Sequence, residues 1–493
     1  MSSSKRGWRL LPCSVLAIGL LVSAGAGAQK VNSSPNFVGS GARALGMGGA
    51  FIAVADDATA ASWNPGGLTQ LERPELSIVY SWKWFNEKFA DTRFVTPNGT
   101  YDVNLDDLNY LSFVYPIPWT LSGRNFVLSL NFQRKYDFDR SLAFRGQTSN
   151  VRNPAAPWTH WSGYIDFQQK GSLATLSPAA GIELTDRLSI GMAVNIWDSS
   201  LIGDNEWESV TQRRTIVSGV IRGVGGGLIP FTGAGTHNTY EKYENIEGIN
   251  YTFGALYKAT DRLSFGAVYH TAYSTDVDYT QVDEFRGTVF GRNEFRTKLR
   301  IDWPASMGFG VAYRFPKDKL TMTFDITRRN WNSFVQIYPD GPIQVRGTGP
   351  GIPAALAGAR VSPLTNLDKR ISPADPTYTL RLGGEYVFFN PDKPRQKFLP
   401  SVRAGIFWDP EPASGRHDTP NGVAAANGES DNYYGFALGL GVLMYNRVNI
   451  DLAYEYRRGD NVRRDTLVGT ALEPGFHEDV NQHLLYLSTV IYF

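Results

Sequence analysis

From Glu75 to the end of the chain, apolar residues return at every second position, in segments joined by connections that are alternately short and long. Leu76, Ile78, Tyr80, Trp82 and Trp84 share one parity, with Ser77, Ser81 and Lys83 between them. Successive side chains of a strand point to opposite faces of a sheet, so this is a strand with one apolar face. The pattern recurs within residues 111–117, 126–132, 176–184, 188–196, 249–257, 263–273, 299–313, 320–326, 378–388, 398–408, 434–444, 448–456 and 485–493, about fourteen strands in all. Thr185-Asp186-Arg187, Thr260-Asp261, Pro316-Lys317-Asp318 and Asn446 mark tight turns, whereas the intervening connections, near 90–107, 139–172, 199–248, 274–296, 330–376, 409–432 and 458–482, are long. A sandwich has loops at both ends and no reason to segregate them by length. A transmembrane antiparallel β-barrel does so, with brief periplasmic turns and extended outer loops.

The two strand faces agree with a barrel in lipid. One parity is aliphatic and aromatic, with Tyr and Trp gathered at strand ends; the other carries Ser, Thr, Asn, Gly and charges such as Arg300, Asp325, Arg381, Glu385, Arg403 and Asp451. That is apolar outside and polar inside, and in hydrocarbon only a closed barrel lets strands pair every backbone group. An even number of strands returns the chain to its starting side, so both termini are expected in the periplasm of a Gram-negative outer membrane, with outer-membrane lipid and lipopolysaccharide as surroundings.

Composition removes other classes. With 48 Lys+Arg against 47 Asp+Glu, the chain has no basic excess to hold a nucleic acid. Past the N-terminus no apolar run reaches the ~18 residues of a membrane helix. Lys5, Arg6 and Arg9, the apolar stretch that follows and Ala26-Gly27-Ala28 read as a signal peptide over residues 1–28. It carries Cys13, the chain's only cysteine, so the exported part is expected to fold without disulfides.

Residues 29–74 break the period. The stretch from Gly39 to Phe51 is rich in small residues, and an alanine-rich stretch from Ala53 to Trp63 reads as a short helix capped by Asp56 or Asp57 and broken by Asn64-Pro65. A segment this small has no core of its own, yet Phe37, Leu45, Met47, Phe51, Ile52, Val54 and Trp63 make it too apolar for a solvated tail. The expected domains are therefore a signal peptide (1–28), a lumenal plug (29–74) and a barrel (75–493).

The residues Gly41-Ala42-Arg43-Ala44, Gly46, Gly48-Gly49-Ala50-Phe51, Ala55-Asp56-Asp57-Ala58 and Asn64-Pro65 resemble the N-terminal hatch of the FadL/TodX outer-membrane transporters of fatty acids and hydrocarbons. A second similar stretch runs from Leu299-Arg300-Ile301-Asp302-Trp303-Pro304 through Gly308-Phe309-Gly310 to Trp331-Asn332-Ser333-Phe334. The resemblance implies a fourteen-stranded barrel stoppered by the hatch, an outer groove that captures ligand, an inner pocket and sideways release through the wall. Type IX secretion-associated (PorV-like) barrels share a similar Gly-Met-Gly-Gly-Ala and Asp-Asp segment, so a barrel that anchors or shuttles proteins is the alternative. The chain departs from the family twice: Asn64-Pro65-Gly66 stands where the family commonly has Asn-Pro-Ala, and the third strand, residues 125–138, lacks the Gly or Pro of a kink. The position of the exit is thus left open.

Two groups of residues are candidates for ligand contact. Ile221, Val224, Leu228, Ile229 and Phe231, threaded through glycines, and a second apolar run at 351–357 occupy connections where a porin would be polar; such patches mark ligand or partner surfaces or cover one another. Arg300, Arg381 and Arg403, with Lys298 and Lys258 behind them, have the parity expected of the lumen and are the candidates for a carboxylate head group. The competing expectation is that they pair with Asp302, Asp325, Glu385 and Asp451, in which case a neutral hydrocarbon is the better cargo. The six histidines show no metal-ligand spacing and no nucleophile motif is present, so neither catalysis nor a cofactor is expected.

Overall fold

The computed structural model describes residue 36 and residues 39–90, 100–118, 123–149, 158–203, 205–222, 226–287, 290–340, 345–348, 358–364, 368, 370, 374–390, 396–412, 430–465 and 476–493. Its strands are β1 (Glu75–Ala90), β2 (Thr100–Pro116), β3 (Phe126–Asp137), β4 (Arg140–Ser149), β5 (Trp158–Glu183), β6 (Leu188–Trp197), β7 (Glu206–Arg222), β8 (Leu228–Lys258), β9 (Leu263–His270), β10 (Tyr273–Gly287), β11 (Gly291–Trp303), β12 (Ser306–Arg314), β13 (Leu320–Arg329), β14 (Val335–Ile337), β15 (Val345–Gly347), β16 (Arg360–Val361), β17 (Thr377–Val387), β18 (Phe398–Trp408), β19 (Tyr434–Met444), β20 (Val448–Asp465) and β21 (Phe476–Tyr492). Fourteen of them make a closed antiparallel barrel: β1, β2, β3, β5, β6, the last third of β8, β9, β12, β13 and β17 to β21. Closure is the pairing of β1 with β21, from Glu75↔Tyr492 to Ala90↔His477. Both ends of the barrel sequence therefore lie on one rim.

The wall follows the alternation read from the sequence. Phe113, Leu130, Phe253, Phe309, Ile406 and Leu440 are exposed on its outside, while Ser112, Asn131, Thr252, Arg403 and Asp451 are buried within. The β5–β6, β8–β9, β12–β13 and β19–β20 turns on the rim that holds the two ends are tight; between β19 and β20, Tyr445 and Asn446 both take positive φ (52° and 54°), as hairpin turns that follow the strand twist require.

Among the described residues, the long connections at 139–172, 199–248 and 274–296 on the opposite rim form strands rather than loops. The first parts of β5 and β8 rise above the wall and pair with β4, β7 and β10, and β10 carries β11 with β14 and β15. In this crown the polarity inverts. Phe295, Leu299, Ile301 and Trp303 of β11 are buried, whereas Arg296, Lys298 and Arg300, of the opposite parity, face solvent. Aromatic rings fill the crown's inside: Tyr136 lies 5.0 Å from Trp303, Trp197 stacks on Tyr273 at 5.4 Å and Trp207 on Tyr243 at 4.4 Å. Once above the lipid, water lies outside, and apolar side chains turn inward as in a soluble protein.

Two sequence expectations need correction. The run at 299–313 is not one strand; it breaks at Pro304-Ala305 into β11 of the crown and β12 of the wall, because proline cannot donate to a ladder. The alanine-rich stretch forms only a four-residue helix, α2 (Ala60–Trp63), preceded by α1 (Ala42–Gly46). Its N-cap is Thr59 without a side-chain bond. Asp57 instead accepts from the Thr59 amide (2.8 Å) and hydroxyl (2.6 Å).

Candidate functional site

Residues 39–70 make contacts right round the inner wall. The Ala42 amide donates to Ser488 on β21 (2.6 Å), the Arg43 guanidinium makes two bonds to Glu385 on β17 (3.0 and 2.8 Å), and Thr69 donates to Ser189 on β6 (2.8 Å). Asn64 donates to Ala255 on β8 (2.9 Å) and to Ile52 within the segment (2.8 Å). The amides of Phe51 and Ile52 both donate to one oxygen of Asp325 on β13 (2.7 and 2.8 Å). These bonds answer backbone groups that the irregular segment cannot pair within itself.

Close approach sets the residue types at this level. Gly48 and Gly49 have φ of +66° and +72°, the left-handed region that glycine enters without cost. Opposite them, Gly405 of β18 leaves no room for a Cβ against the Met47–Gly48 peptide. Gly46, Phe51, Asn64 and Pro65 are all buried, and Asp56 and Asp57 both pair with Arg43.

Above this segment lies a cavity of about 220 Å³. Leu45, Gly49, Ile52 and Trp63 form one side of it, and residues of β1 to β4, β9, β12, β13, β17, β20 and β21 the others. The aromatic core of the crown adjoins it, since the Trp331 indole donates to Thr377 on the cavity wall (2.9 Å). The lining is charged and balanced: Lys83, Lys135, Arg140, Arg329, Arg381 and Arg457 against Glu87, Asp137, Asp139, Asp325, Asp409 and Glu455. Pairing accounts for most of this. Lys83 meets Asp137, Arg140 meets Glu87 (3.1 Å), Arg381 and Arg457 share Asp409 (3.6 and 3.7 Å), and Arg457 also binds Glu411 (2.8 Å).

On one side of the cavity the wall lacks a ladder. Strands β2 and β3 pair from Pro116↔Val127 up to Tyr110↔Gln133 and no further among the described residues. Past that point β2 continues on β1, while β3 continues on β5 with a register shift at Arg134/Tyr136. Ion pairs cross the seam in place of backbone bonds: Asp107 with Arg134, Lys83 with Asp137 and Glu87 with Arg140. Phe85 and Val103 line the cavity beside it. The irregularity needs no glycine or proline, because a bulge suffices to redirect a strand; the sequence offers no signal for it beyond the cluster of charges.

The residues singled out from the sequence are scattered. Arg381 lies on the cavity, donating to the Gly48 carbonyl (2.9 Å). Arg403 is buried between Glu385 and Asp451, at 2.7 Å from each. Arg300 is not in the lumen: it sits on the solvent face of β11, paired with Asp302 (3.1 Å), because the crown reverses the polarity on which its parity was read. Lys298 and Lys258 are exposed as well. Leu228 and Ile229 stand exposed at the tip of the β7–β8 hairpin, with Phe231 half-buried nearby. The side chain of Ile221, Val224 and the apolar run 351–357 lie outside the described residues, as do residues 1–28. What sequence reasoning missed is the charged lining from β1, β3 and β20, whose members are inward-facing by parity but come together only on closure.

A family model described as outer membrane protein transport protein (OMPP1/FadL/TodX) matches residues 159–484. No curated protein matches the sequence. Among solved structures, a Pseudomonas aeruginosa FadL homologue is similar at 15% identity and a TM-score of 0.54, covering 94% of this chain and 100% of its own. The CymD monoaromatic hydrocarbon channel is similar at 16% identity and a TM-score of 0.50 (93% and 98% covered). The P. putida toluene transporter TodX is similar at 14% identity and a TM-score of 0.50 (92% and 99%). At such identities the likeness is one of fold.

Proposed function

We propose, for a chain that belongs to the OMPP1/FadL/TodX family of outer-membrane transport proteins, that it takes up hydrophobic small molecules passively and releases them sideways into the membrane. Its family and the structures it resembles are transport channels rather than enzymes. In this reading residues 29–74 are a hatch that blocks straight passage, and the crown gathers ligand from outside. The cavity holds the ligand, and the β2–β3 seam is its way out. The barrel rim with both ends faces the periplasm.

The observation that carries the reading is the cavity itself, floored by the N-terminal segment and bordered by a stretch of wall where β2 and β3 are not paired among the described residues. A hydrophobic ligand gains roughly 0.8 kcal/mol for each CH₂ it takes out of water, and leaving through the wall keeps that gain, whereas passage into the periplasm forfeits it.

The exit can be closed on purpose. Because Cys13 is the chain's only cysteine, a Cys13→Ser protein that also carries Asp107→Cys and Arg134→Cys joins those two positions uniquely under a short thiol crosslinker. Crosslinked protein should lose most uptake of a hydrophobic tracer into cells and regain it when the link is cleaved; undiminished uptake rejects the seam. Deleting the chain should abolish growth on a hydrophobic carbon source. If protein secretion fails and uptake does not, the secretion-associated reading takes its place.

A further inference from the structure

We infer that Glu455 is the specificity-determining group of the lumenal cavity and that the cavity takes an uncharged hydrophobic molecule bearing a hydroxyl group. This rests on the uptake reading above and names the ligand class for it.

Glu455 projects inward from β20, between Ala437 and Leu484 on the neighbouring strands. It lines the cavity and is only 9% exposed. No hydrogen bond from a described residue reaches its carboxyl group, one oxygen of which is wholly buried. A buried acceptor left without a donor is costly, and every other carboxylate of the lining has at least one partner: Asp137, Glu87 and Asp409 have cations, Asp139 accepts from the Gly171 amide, and one oxygen of Asp325 accepts from Phe51 and Ile52 while its other oxygen is buried without a donor. The cations whose charge reaches Glu455, Arg381 and Arg457, are both held by Asp409. Leu484 stands opposite it on β21, and Leu45, Trp63, Leu484 and Tyr486 pack together and line the same cavity, an apolar patch suited to the body of a hydrophobic ligand.

Three ligand chemistries meet this lining differently. A plain hydrocarbon fills the apolar part and leaves the carboxyl unsatisfied. A fatty or aromatic carboxylate brings a second anion to an acid that no cation directly pairs. An ammonium comes within reach of two guanidinium groups. A neutral hydroxyl donates to Glu455 and brings no charge into a lining already balanced.

The test uses three molecules of one shape, naphthalene, 1-naphthol and 1-naphthoate, with 1-naphthylmethylamine as the cation, binding to full-length purified protein in detergent at neutral pH. Wild type should bind 1-naphthol about tenfold more tightly than naphthalene, the worth of one hydrogen bond, and 1-naphthoate least. Glu455→Leu should erase the preference for 1-naphthol and leave naphthalene binding in place, which also certifies that the variant is folded. Glu455→Gln, which keeps an acceptor oxygen, should retain the preference and admit 1-naphthoate. Equal or tighter binding of 1-naphthoate or the amine by wild type overturns the inference, as does a preference that survives in Glu455→Leu. If none of the four binds, the uptake reading falls with it; if naphthalene binds as well as 1-naphthol, only the assignment of Glu455 falls.

Discussion

The wall and the crown are built from the same strands and opposite rules. Along β8, Tyr251 and Phe253 turn outward in the wall part, whereas Glu241 and Tyr243 are buried in the crown part. Between β11 and β12 the change occurs across the Pro304-Ala305 break, from buried Trp303 to exposed Met307. A backbone irregularity resets the parity at that height: Asn245 of β8 takes positive φ (53°) beside a register shift against β10, and Pro304-Ala305 separates β11 from β12. A face is apolar or polar according to what it meets, and a one-residue shift of parity moves the apolar side chains from the lipid side to the interior where the chain passes from lipid to water.

That contrast can be broken by substitutions chosen in pairs. The largest effect is expected at the crown core: Trp303→Ala, which removes a ring packed on Tyr136, Tyr273 and Phe334, should cost about 3–5 kcal/mol, whereas Leu440→Ala on the lipid face should cost a fraction of that. Urea unfolding of the protein in lipid vesicles reads both. Next, Phe309→Arg, in the middle of an outward face of β12, should cost about 2–4 kcal/mol, by the same measurement. If it unfolds no more readily than wild type, that face does not meet lipid.

A pH dependence confined to the crown comes third. Burial pushes the Glu241 carboxyl up to about 8, against a hydrogen bond from the Tyr279 hydroxyl (2.5 Å) that lowers it. Its value in the folded state thus lies above that of the unfolded chain, so folding favours the protonated form. The stabilisation is complete in acid and is lost as pH rises from the ordinary carboxylate range through about 8. Protease resistance of the crown should therefore fall over that window, and Glu241→Gln should flatten the profile. The smallest effect is at the solvent face: Lys298→Ser should change stability by less than about 0.5 kcal/mol.

Much of the wall was legible because hydrophobic contrast along it is strong. Residues such as Leu438 and Leu440 alternate with glycine and alanine on β19, and no other fold class explains fourteen such segments with one-sided long connections. The crown strands β7 and β10 read as loops because their buried faces mix polar with apolar groups: Ser209, Thr275, Gln281 and Asp283 are as buried as Trp207 and Tyr279. Alternation without contrast leaves no period to find. Arg300 was misplaced for the related reason that parity gives a face but not the medium beyond it.

The sequence by itself determined the strand period, the turns, the sidedness of the connections and the anomalous N-terminal segment, since each depends on neighbours a few residues apart. The cavity, the unpaired seam between β2 and β3 and the isolation of Glu455 were decided only by closure. They depend on which strands stand side by side and on where the N-terminal segment comes to rest, and these are relations between residues as far apart as Asn64 and Ala255 or Arg43 and Glu385.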